Sequence, residues 1–264
     1  MTIAQIILQG PPVLRDPNTL TTLLQCLADA GWEPTKWSAT ERGGVPYVLD
    51  DAVARMRAGA YSLYFKRNRA PKWDGYFNTS GPTSILVLEP ASVPLGRMTE
   101  HWALGDALAN ILTPDFGDVA ALPWDPVPFP TTVEEYTDPD SAALRLMRGC
   151  AGGFFQGGII ALSTRTYFGP NYIAQFGREF LLETPAIVTE LPWGGIRIDL
   201  HERPWEATQQ ELLAVYHPAM THLRRSPVVT TFKARTRADG TLAVDVKKGP
   251  AFKMVDYRKP APHV

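Results

Sequence analysis

The stretch that decides the fold runs from Thr166 to Trp205, TYFGPNYIAQFGREFLLETPAIVTELPWGGIRIDLHERPW. Gly169-Pro170 favours a helix start, because proline suits the first helical position, and Pro185 ends that helix. The residues of its expected buried face are Tyr172, Ile173, Phe176 and Phe180. A Trp-Gly-Gly turn at 193–195 then precedes alternating apolar and polar residues at 196–201, which is typical of a strand with one buried face. This order predicts one packing unit of helix, strand, turn and strand, followed by a helix that begins at Pro204 and is interrupted near Pro218.

The rest of the chain also mixes helical and strand patterns. Leucines at helical spacing predict a helix capped by Asn18, and two more are expected from Asp50 and from Thr99. Strands are predicted at 61–66 and 85–88, and a hairpin is predicted around Ala238-Asp239-Gly240. We therefore predict an α+β fold in which a mixed or antiparallel sheet is covered by helices on one face. We predict one domain over 1–264, in which the proline-rich connector 123–130 could separate two subdomains of similar size.

Length and composition are those of an ordinary globular chain. A fold of 264 residues buries roughly 70–75% of the surface of its unfolded chain, so it needs no disulfide for stability. Cys26 and Cys150 are far apart and are predicted to be free thiols, which suits a reducing compartment. The N-terminus has no basic residue before its short apolar run, and no apolar run approaches the roughly 20 residues that span a bilayer. The sequence therefore predicts a cytoplasmic protein without a membrane segment.

Charge is strongly segregated, although the net charge is only −1. No Lys or Arg occurs between Met98 and Leu144, and the acidic residues of that window are Glu100, Asp106, Asp115, Asp118, Asp125, Glu134, Glu135, Asp138 and Asp140. Between Thr221 and Lys259 ten basic residues stand against three acidic ones. Clustered charge of one sign often steers a partner of the opposite sign.

The acidic window has two interpretations. It is either a solvated surface or a docking surface for a basic protein, whose nucleic-acid cleft a set of carboxylates can fill by imitating phosphates. Aromatic residues interleaved with the acids could supply the buried anchors that affinity needs, or they could belong to the core. Trp102 is expected on the flank of the apolar stripe of the helix from Thr99, with Asp106 on its far side. The candidate partner-binding residues are Trp102, Asp106, Asp115, Asp118, Trp124, Asp125, Glu134, Glu135, Tyr136, Asp138 and Asp140.

The sequence offers little sign of catalysis. His217 and His222 are five residues apart and do not share a helix face, and no nucleophile elbow, P-loop or dinucleotide fingerprint is present. The glycines at 149–158 fit tight packing or a mobile loop better than phosphate binding. We therefore predict no catalytic residue, no metal and no cofactor. One enzymatic alternative remains: the Asp-x-Lys pattern of Asp245 and Lys247 is half of a metal-dependent nuclease site. Asp239 is available as the further acidic ligand that such a site needs, but turn chemistry explains it better.

Three segments carry a family resemblance in the second half of the chain, over roughly 150–225. They are Tyr167-Phe168-Gly169-Pro170, the run ELPWGG at 190–195 and Arg203-Pro204-Trp205. In the first half, Ala30-Gly31-Trp32 and Asp115-Phe116-Gly117 match more loosely. In their order and spacing these segments resemble the Immunity protein 52 family.

The resemblance implies a bacterial immunity protein of polymorphic-toxin or type VI secretion systems. Such proteins stay in the cell that makes the toxin and neutralise it by direct binding, and the usual partner resembles a restriction-endonuclease-type nuclease. The family has no catalytic residues to carry over. Its tryptophans correspond to Trp32, Trp193 and Trp205, for which we expect structural roles: Trp193 closes the turn and Trp205 anchors a helix start.

Our hypothesis is an immunity protein that is not an enzyme and that binds a basic nuclease toxin, without direct contact to nucleic acid or membrane. Changing Asp115, Asp118, Glu134 and Glu135 to Lys is expected to slow complex formation. The alternatives are a metal-dependent nuclease built on Asp245 and Lys247, and an adaptor of the secretion machinery.

Overall fold

A computed structural model describes residues 2–41, 43–79, 81, 83–91, 93–123, 132–148, 159 and 161–253, with backbone only at 232 and 246. Several predictions lie outside the described residues. These concern Trp124 and Asp125, nearly all of the proline-rich connector, the glycine-rich segment and Cys150. Cys26 is a half-buried free thiol.

Within the described residues, one antiparallel sheet of ten strands forms the centre of the molecule. Its strands are β1 (Ile3–Gly10), β2 (Lys36–Ser38), β3 (Val45–Pro46), β4 (Ser62–Arg67), β5 (Trp73–Asn78), β6 (Ser84–Pro90), β7 (Phe116–Leu122), β8 (Arg165–Phe168), β9 (Ile187–Glu190) and β10 (Ile196–Asp199). Their order across the sheet is β3-β2-β4-β5-β6-β1-β7-β8-β10-β9. Strand β1 lies in the middle, where Ile7 pairs with Val87 on one side and with Asp118 on the other. The predicted α+β fold with an antiparallel sheet covered by helices is confirmed.

Helices surround the sheet, and a separate hairpin follows it. The helices are α1 (Pro17–Asp29), α2 (Leu49–Arg57), α3 (Met98–Leu112), α4 (Val133–Thr137), α5 (Pro139–Leu146), α6 (Pro170–Phe176), α7 (Arg178–Leu182) and α8 (Gln209–Leu223). The hairpin pairs β11 (Thr231–Thr236) with β12 (Leu242–Lys247), as predicted around Gly240. No helix in the described residues is long and apolar enough to cross a membrane.

The helices cover opposite faces of the sheet in its two halves. Helices α1, α2 and α3 pack on one face of β1, β4, β5 and β6, whereas α5, α6 and α8 pack on the other face of β7, β8 and β10. Strand β7 lies where the two halves meet, and all seven of its residues are buried because Val119 belongs to the first core and Phe116 to the second. The expectation of helices on a single face is therefore wrong, since each half of the sheet uses a different face.

Several helices begin or end at residues other than those predicted, because of local capping and backbone conformation. Gly177 has φ of +90° and divides the predicted helix after Gly169 into α6 and α7, because a left-handed conformation cannot continue an α-helix. Helix α1 is capped by Asp16, whose carboxylate accepts bonds from the next turn, rather than by Asn18. Helix α8 begins after Thr208, which forms a capping box with Glu211, and it continues through Pro218. Packing of its apolar face against the second core accounts for the tolerated proline.

Candidate functional site

The acidic window divides into a buried group and an exposed group. Asp115 and Asp118 are each only 2% exposed, whereas Glu134, Glu135, Asp138 and Asp140 lie on the surface of α4 and α5. Tyr136 is half-buried among these exposed acids. Trp102 is buried, and the Asp106 carboxylate is partly exposed. The predicted docking residues are thus not one surface in this fold.

Asp115, which precedes β7, forms hydrogen bonds with the start of α6, directly after β8. Its carboxylate accepts bonds from the backbone N–H of Asn171 (3.2 Å) and from the Asn171 side-chain amide (3.0 Å), and its carbonyl accepts from Gly169 N–H at 2.7 Å. Phe116 pairs with Phe168 in the adjoining strands. Two segments quoted for the family resemblance, 115–117 and 167–170, therefore meet here. Asp115 is withdrawn from the docking prediction because its carboxylate bonds within the fold.

Asp118 is also withdrawn from the docking prediction, because it is buried away from solvent. It lies in the middle of β7, and Thr166 Oγ1 donates a hydrogen bond to its Oδ1 at 3.3 Å. Burial raises the pKa of Asp118 to about 8, while the bond from Thr166 lowers it to a smaller extent. A carboxyl group that is largely protonated near neutral pH cannot add negative potential to a surface.

Asp118 should make the stability of the protein depend on pH. Its pKa is near 3.8 in the unfolded chain and about 8 in the fold, so the native state holds the extra proton between these values and its stability falls as pH rises through this window. Asp118→Asn keeps an acceptor for Thr166 and removes the titration. We expect the variant to gain stability relative to wild type by about 1 kcal/mol per pH unit between pH 5 and 8, measured by urea unfolding. A difference that does not change with pH would contradict a protonated Asp118.

Trp102 and Asp106 belong to a charged network that joins α3 to β8 and β10. The Arg165 guanidinium donates to both oxygens of Asp199 (2.6 and 3.2 Å) and to Asp106 Oδ2 (3.0 Å). It also lies 3.8 Å from the centre of the Trp102 ring, in a cation–π contact. Tyr167 donates its hydroxyl to Asp106 Oδ1 at 2.7 Å.

Arg197 completes this network at its solvent side. It donates to Asp106 Oδ2 at 2.9 Å, and its Nε lies 3.0 Å from Asp199 Oδ2, an ion-pair contact without hydrogen-bond geometry. Burial raises the pKa of Asp199, and the two arginines oppose that shift. Asp106 was expected on the far side of its helix, but it faces these arginines. The sequence did not reveal Arg165, Arg197 and Asp199 as a unit, although Arg197 and Asp199 lie on the polar face of the predicted strand.

Four carboxylates of the predicted docking set are exposed on α4 and α5: Glu134, Glu135, Asp138 and Asp140. Together with Tyr136, we call them the α4–α5 surface. Asp138 caps α5 by accepting from Ser141 N–H at 2.8 Å, and these bonds with Ser141 lower its pKa. Asp140 lies 2.7 Å from His217 Nε2. Arg145 bonds the carbonyls of Glu135 and Tyr136 and lies 5.8 Å from the centre of the Tyr136 ring. These contacts fix the carboxylates of Asp138 and Asp140 and the backbone at Glu135 and Tyr136.

The two carboxylates of the nuclease alternative have other partners in the hairpin. Arg235 Nε donates to Asp245 Oδ2 at 2.8 Å, and this bond lowers the pKa of Asp245. Asp239 accepts from Thr241 N–H and its hydroxyl, which is the turn chemistry expected of it. Within the described ranges, no group of three or more His, Cys, Asp or Glu side chains could hold a metal ion.

The three tryptophans of the family resemblance have structural positions. The Trp193 ring covers Gly195 so closely that a Cβ there would lie 2.1 Å from it, which supports the predicted closing of the turn. Trp205 packs edge-on against Trp102, with ring centroids 5.7 Å apart, and so connects the turn before α8 to α3. The expectation that Trp205 anchors a helix start is wrong, because α8 begins only at Gln209. Trp32 is fully buried at the end of α1, where its carbonyl accepts from Trp73 Nε1 at 3.1 Å.

Fold and site together define an α+β protein with one wide antiparallel sheet, a buried charged network and an exposed acidic surface. No protein-family model matches the sequence, and neither does any curated protein, so the resemblance to the Immunity protein 52 family stays a prediction. Among solved structures, the fold is similar to that of "Pseudomonas aeruginosa T6SS protein PA0821", with a TM-score of 0.52 and 16% sequence identity. The match covers 83% of this chain and 73% of that one. At this identity the similarity shows a shared fold.

Proposed function

We propose that the protein is an immunity protein of a type VI secretion or polymorphic-toxin system, which binds and blocks a nuclease-type toxin. The observation that carries the proposal is the α4–α5 surface, where four exposed carboxylates flank the half-buried Tyr136 along the chain. The motifs quoted for the family resemblance support it, and so does the similarity in fold to a protein described as belonging to a type VI secretion system.

The physical basis is electrostatic complementarity to a basic partner. A nuclease needs a positively charged cleft for its substrate, and fixed carboxylates can occupy that cleft in place of phosphates. Complementary charge mainly speeds association and selects the partner, while buried aromatic side chains supply affinity. Tyr136 is the aromatic residue available for this on the α4–α5 surface, because Trp102 is buried under Arg165. Asp115 and Asp118 have no part in the proposed surface.

Reversing charge on the α4–α5 surface should therefore slow toxin binding. Glu134→Lys combined with Glu135→Lys should lower the association rate constant at low salt by about tenfold, and the difference should shrink as salt rises because screening weakens long-range attraction. The measurement is association kinetics with a catalytically inactive form of the toxin, which is sought as the product of an adjacent open reading frame. A matched control, Glu183→Lys with Glu202→Lys, reverses two exposed acids that are not part of the α4–α5 surface and should leave the rate unchanged.

The function itself is tested by co-expression. Cells that express this toxin should survive when they also express this protein, and the two purified proteins should form a stable complex. Undiminished killing in the presence of the folded protein would contradict the proposal. Mg²⁺-dependent DNA cleavage by the pure protein, lost in Lys247→Ala, would instead favour the nuclease, and stable binding to secretion-machine components without protection would favour the adaptor.

A further inference from the structure

A second exposed feature is the sheet face opposite α1, α2 and α3. In the described part of the chain, neither hydrophobic core contains a helical residue that covers this face of β4, β5 and β6. An open cavity of about 640 Å³ is lined by this face and by Glu41, Gly43 and Gly44, which lie between β2 and β3. Its volume falls within the roughly 300–1,000 Å³ typical of binding pockets. We call this cavity the sheet groove.

Two tyrosines form the floor of the sheet groove. Tyr64 and Tyr76 are cross-strand neighbours in β4 and β5, with ring centroids 5.9 Å apart. Both are half-buried, and partial burial raises the pKa of Tyr76. Paired tyrosines offer a rigid apolar surface with a polar tip, which is the composition typical of binding hot spots.

Charged side chains form a row across the strands beside the tyrosines. The register aligns Lys36, Lys66, Asp74 and Glu89 on β2, β4, β5 and β6, so the basic end of the row lies at β2 and the acidic end at β6. Lys66 is paired with Asp74 at 3.3 Å, and Glu89 accepts a bond from the Gln5 amide at 2.8 Å. Glu41 adds a further exposed carboxylate from the flanking loop.

The length and charge of this row fit a short extended segment of polypeptide. Three strand spacings of about 4.8 Å separate Lys36 from Glu89, so the row is about 14 Å long, which an extended segment of about four residues would cover. Among the described lining residues, the three carboxylates of Glu41, Asp74 and Glu89 outnumber the ammonium groups of Lys36 and Lys66, and Asp74 is paired with Lys66. A segment that places a basic side chain at the Glu89 end complements this charge.

The sheet groove also lies on the same side of the sheet as the α4–α5 surface. Tyr76 pairs with Val87, Val87 with Ile7 and Ile7 with Asp118, so the tyrosines share a face with the even-numbered residues of β7. On that face Phe116 and Leu122 pack in one core with Ala143 and Met147, at α5. One basic partner can therefore approach both acidic features from a single side.

We propose that the sheet groove receives an extended segment of a basic partner protein, with Tyr64 and Tyr76 as its apolar anchors and Glu41, Asp74 and Glu89 as its charge-complementary groups. The inference rests on the proposed function, because it takes the partner to be the toxin. It adds a contact surface that is separate from the α4–α5 surface in sequence and that contributes affinity through aromatic burial rather than long-range attraction alone.

The experiment measures equilibrium affinity for the same catalytically inactive toxin. Tyr64→Ala with Tyr76→Ala tests the anchors, and Glu41→Lys with Glu89→Lys tests the charges at exposed positions where the fold should tolerate change. Each pair should raise Kd by at least about tenfold. Glu183→Lys with Glu202→Lys is the control and should bind like wild type. Circular dichroism and thermal melting confirm that each variant is folded.

The outcomes separate the two proposals. Wild-type binding that persists within about twofold in the folded Glu41→Lys, Glu89→Lys variant and in the tyrosine variant would overturn the sheet groove and leave the immunity function standing. A wild-type protein that neither binds nor protects would overturn the immunity function and the groove with it. Weakened binding in both groove variants with an unaffected control supports the inference.

Discussion

Replacing Arg165 with alanine should lower the free energy of unfolding by about 3–5 kcal/mol, because it leaves the buried carboxylate of Asp199 without its main partner. Arg165 and Asp199 are each 4% exposed in their side chains, and the guanidinium makes two bonds to that carboxylate. The substitution also removes the contact over Trp102 and one of the bonds to Asp106. The loss should be visible as a lower urea midpoint.

An exposed ion pair provides the matched control. Arg203 and Glu206 are 65% and 55% exposed in their side chains, so Arg203→Ala should change stability by no more than about 1 kcal/mol. A double-mutant cycle with Asp199→Ala isolates the coupling, since removing both charges leaves no unpaired group in the interior. A loss for Arg165→Ala no larger than that for Arg203→Ala would show that the network does not hold α3 to the second half of the sheet.

Gly169→Ala should also destabilise the protein strongly, by about 3 kcal/mol or more, although only one methyl group is added. A Cβ at this position would lie 2.2 Å from the Pro114 carbonyl oxygen and 2.6 Å from Asp115 Cα. These are backbone atoms of the two residues before β7, so they cannot move aside without breaking the bond from Gly169 N–H to the Asp115 carbonyl. The midpoint of thermal unfolding measures the effect.

Gly96→Ala is the control for this substitution, because a Cβ at Gly96 meets no atom within 4 Å and the residue does not have positive φ. We expect it to change stability by no more than about 0.5 kcal/mol. Equal effects at Gly96 and Gly169 would contradict the close approach of the chain at Pro114.

Sequence patterns predicted the helices and strands more accurately than the contacts between them. The alternation at 196–201 predicted strand β10, and leucines at helical spacing predicted α1, because periodicity reports which face of an element is buried. The same patterns placed Asp106 on the far side of α3 and therefore missed its bonds to Arg165 and Arg197. Helical spacing identifies a polar face, but it does not say that another strand places arginines opposite that face.

In the candidate site, too, the sequence of the acidic window did not predict the three-dimensional surroundings of its residues. Its nine carboxylates are equivalent in the sequence, yet Asp118 is buried and has a pKa of about 8, while Asp138 stays exposed and caps a helix. Desolvation depends on which residues surround a group in three dimensions, and β7 is buried on both faces because it lies where the two helical layers meet. No count of charges along the chain could separate these groups.

By itself, the sequence determined the α+β class, the hairpin around Gly240, the turn closed by Trp193 and the segregation of charge, since local spacing and turn chemistry suffice for these. Only the tertiary structure decided that the helices cover opposite faces of one sheet, that Asp115 joins the two motifs of the resemblance and that four carboxylates of the window remain together on the surface of α4 and α5. These features depend on contacts between residues far apart in the chain, and such contacts exist only once the strands have paired.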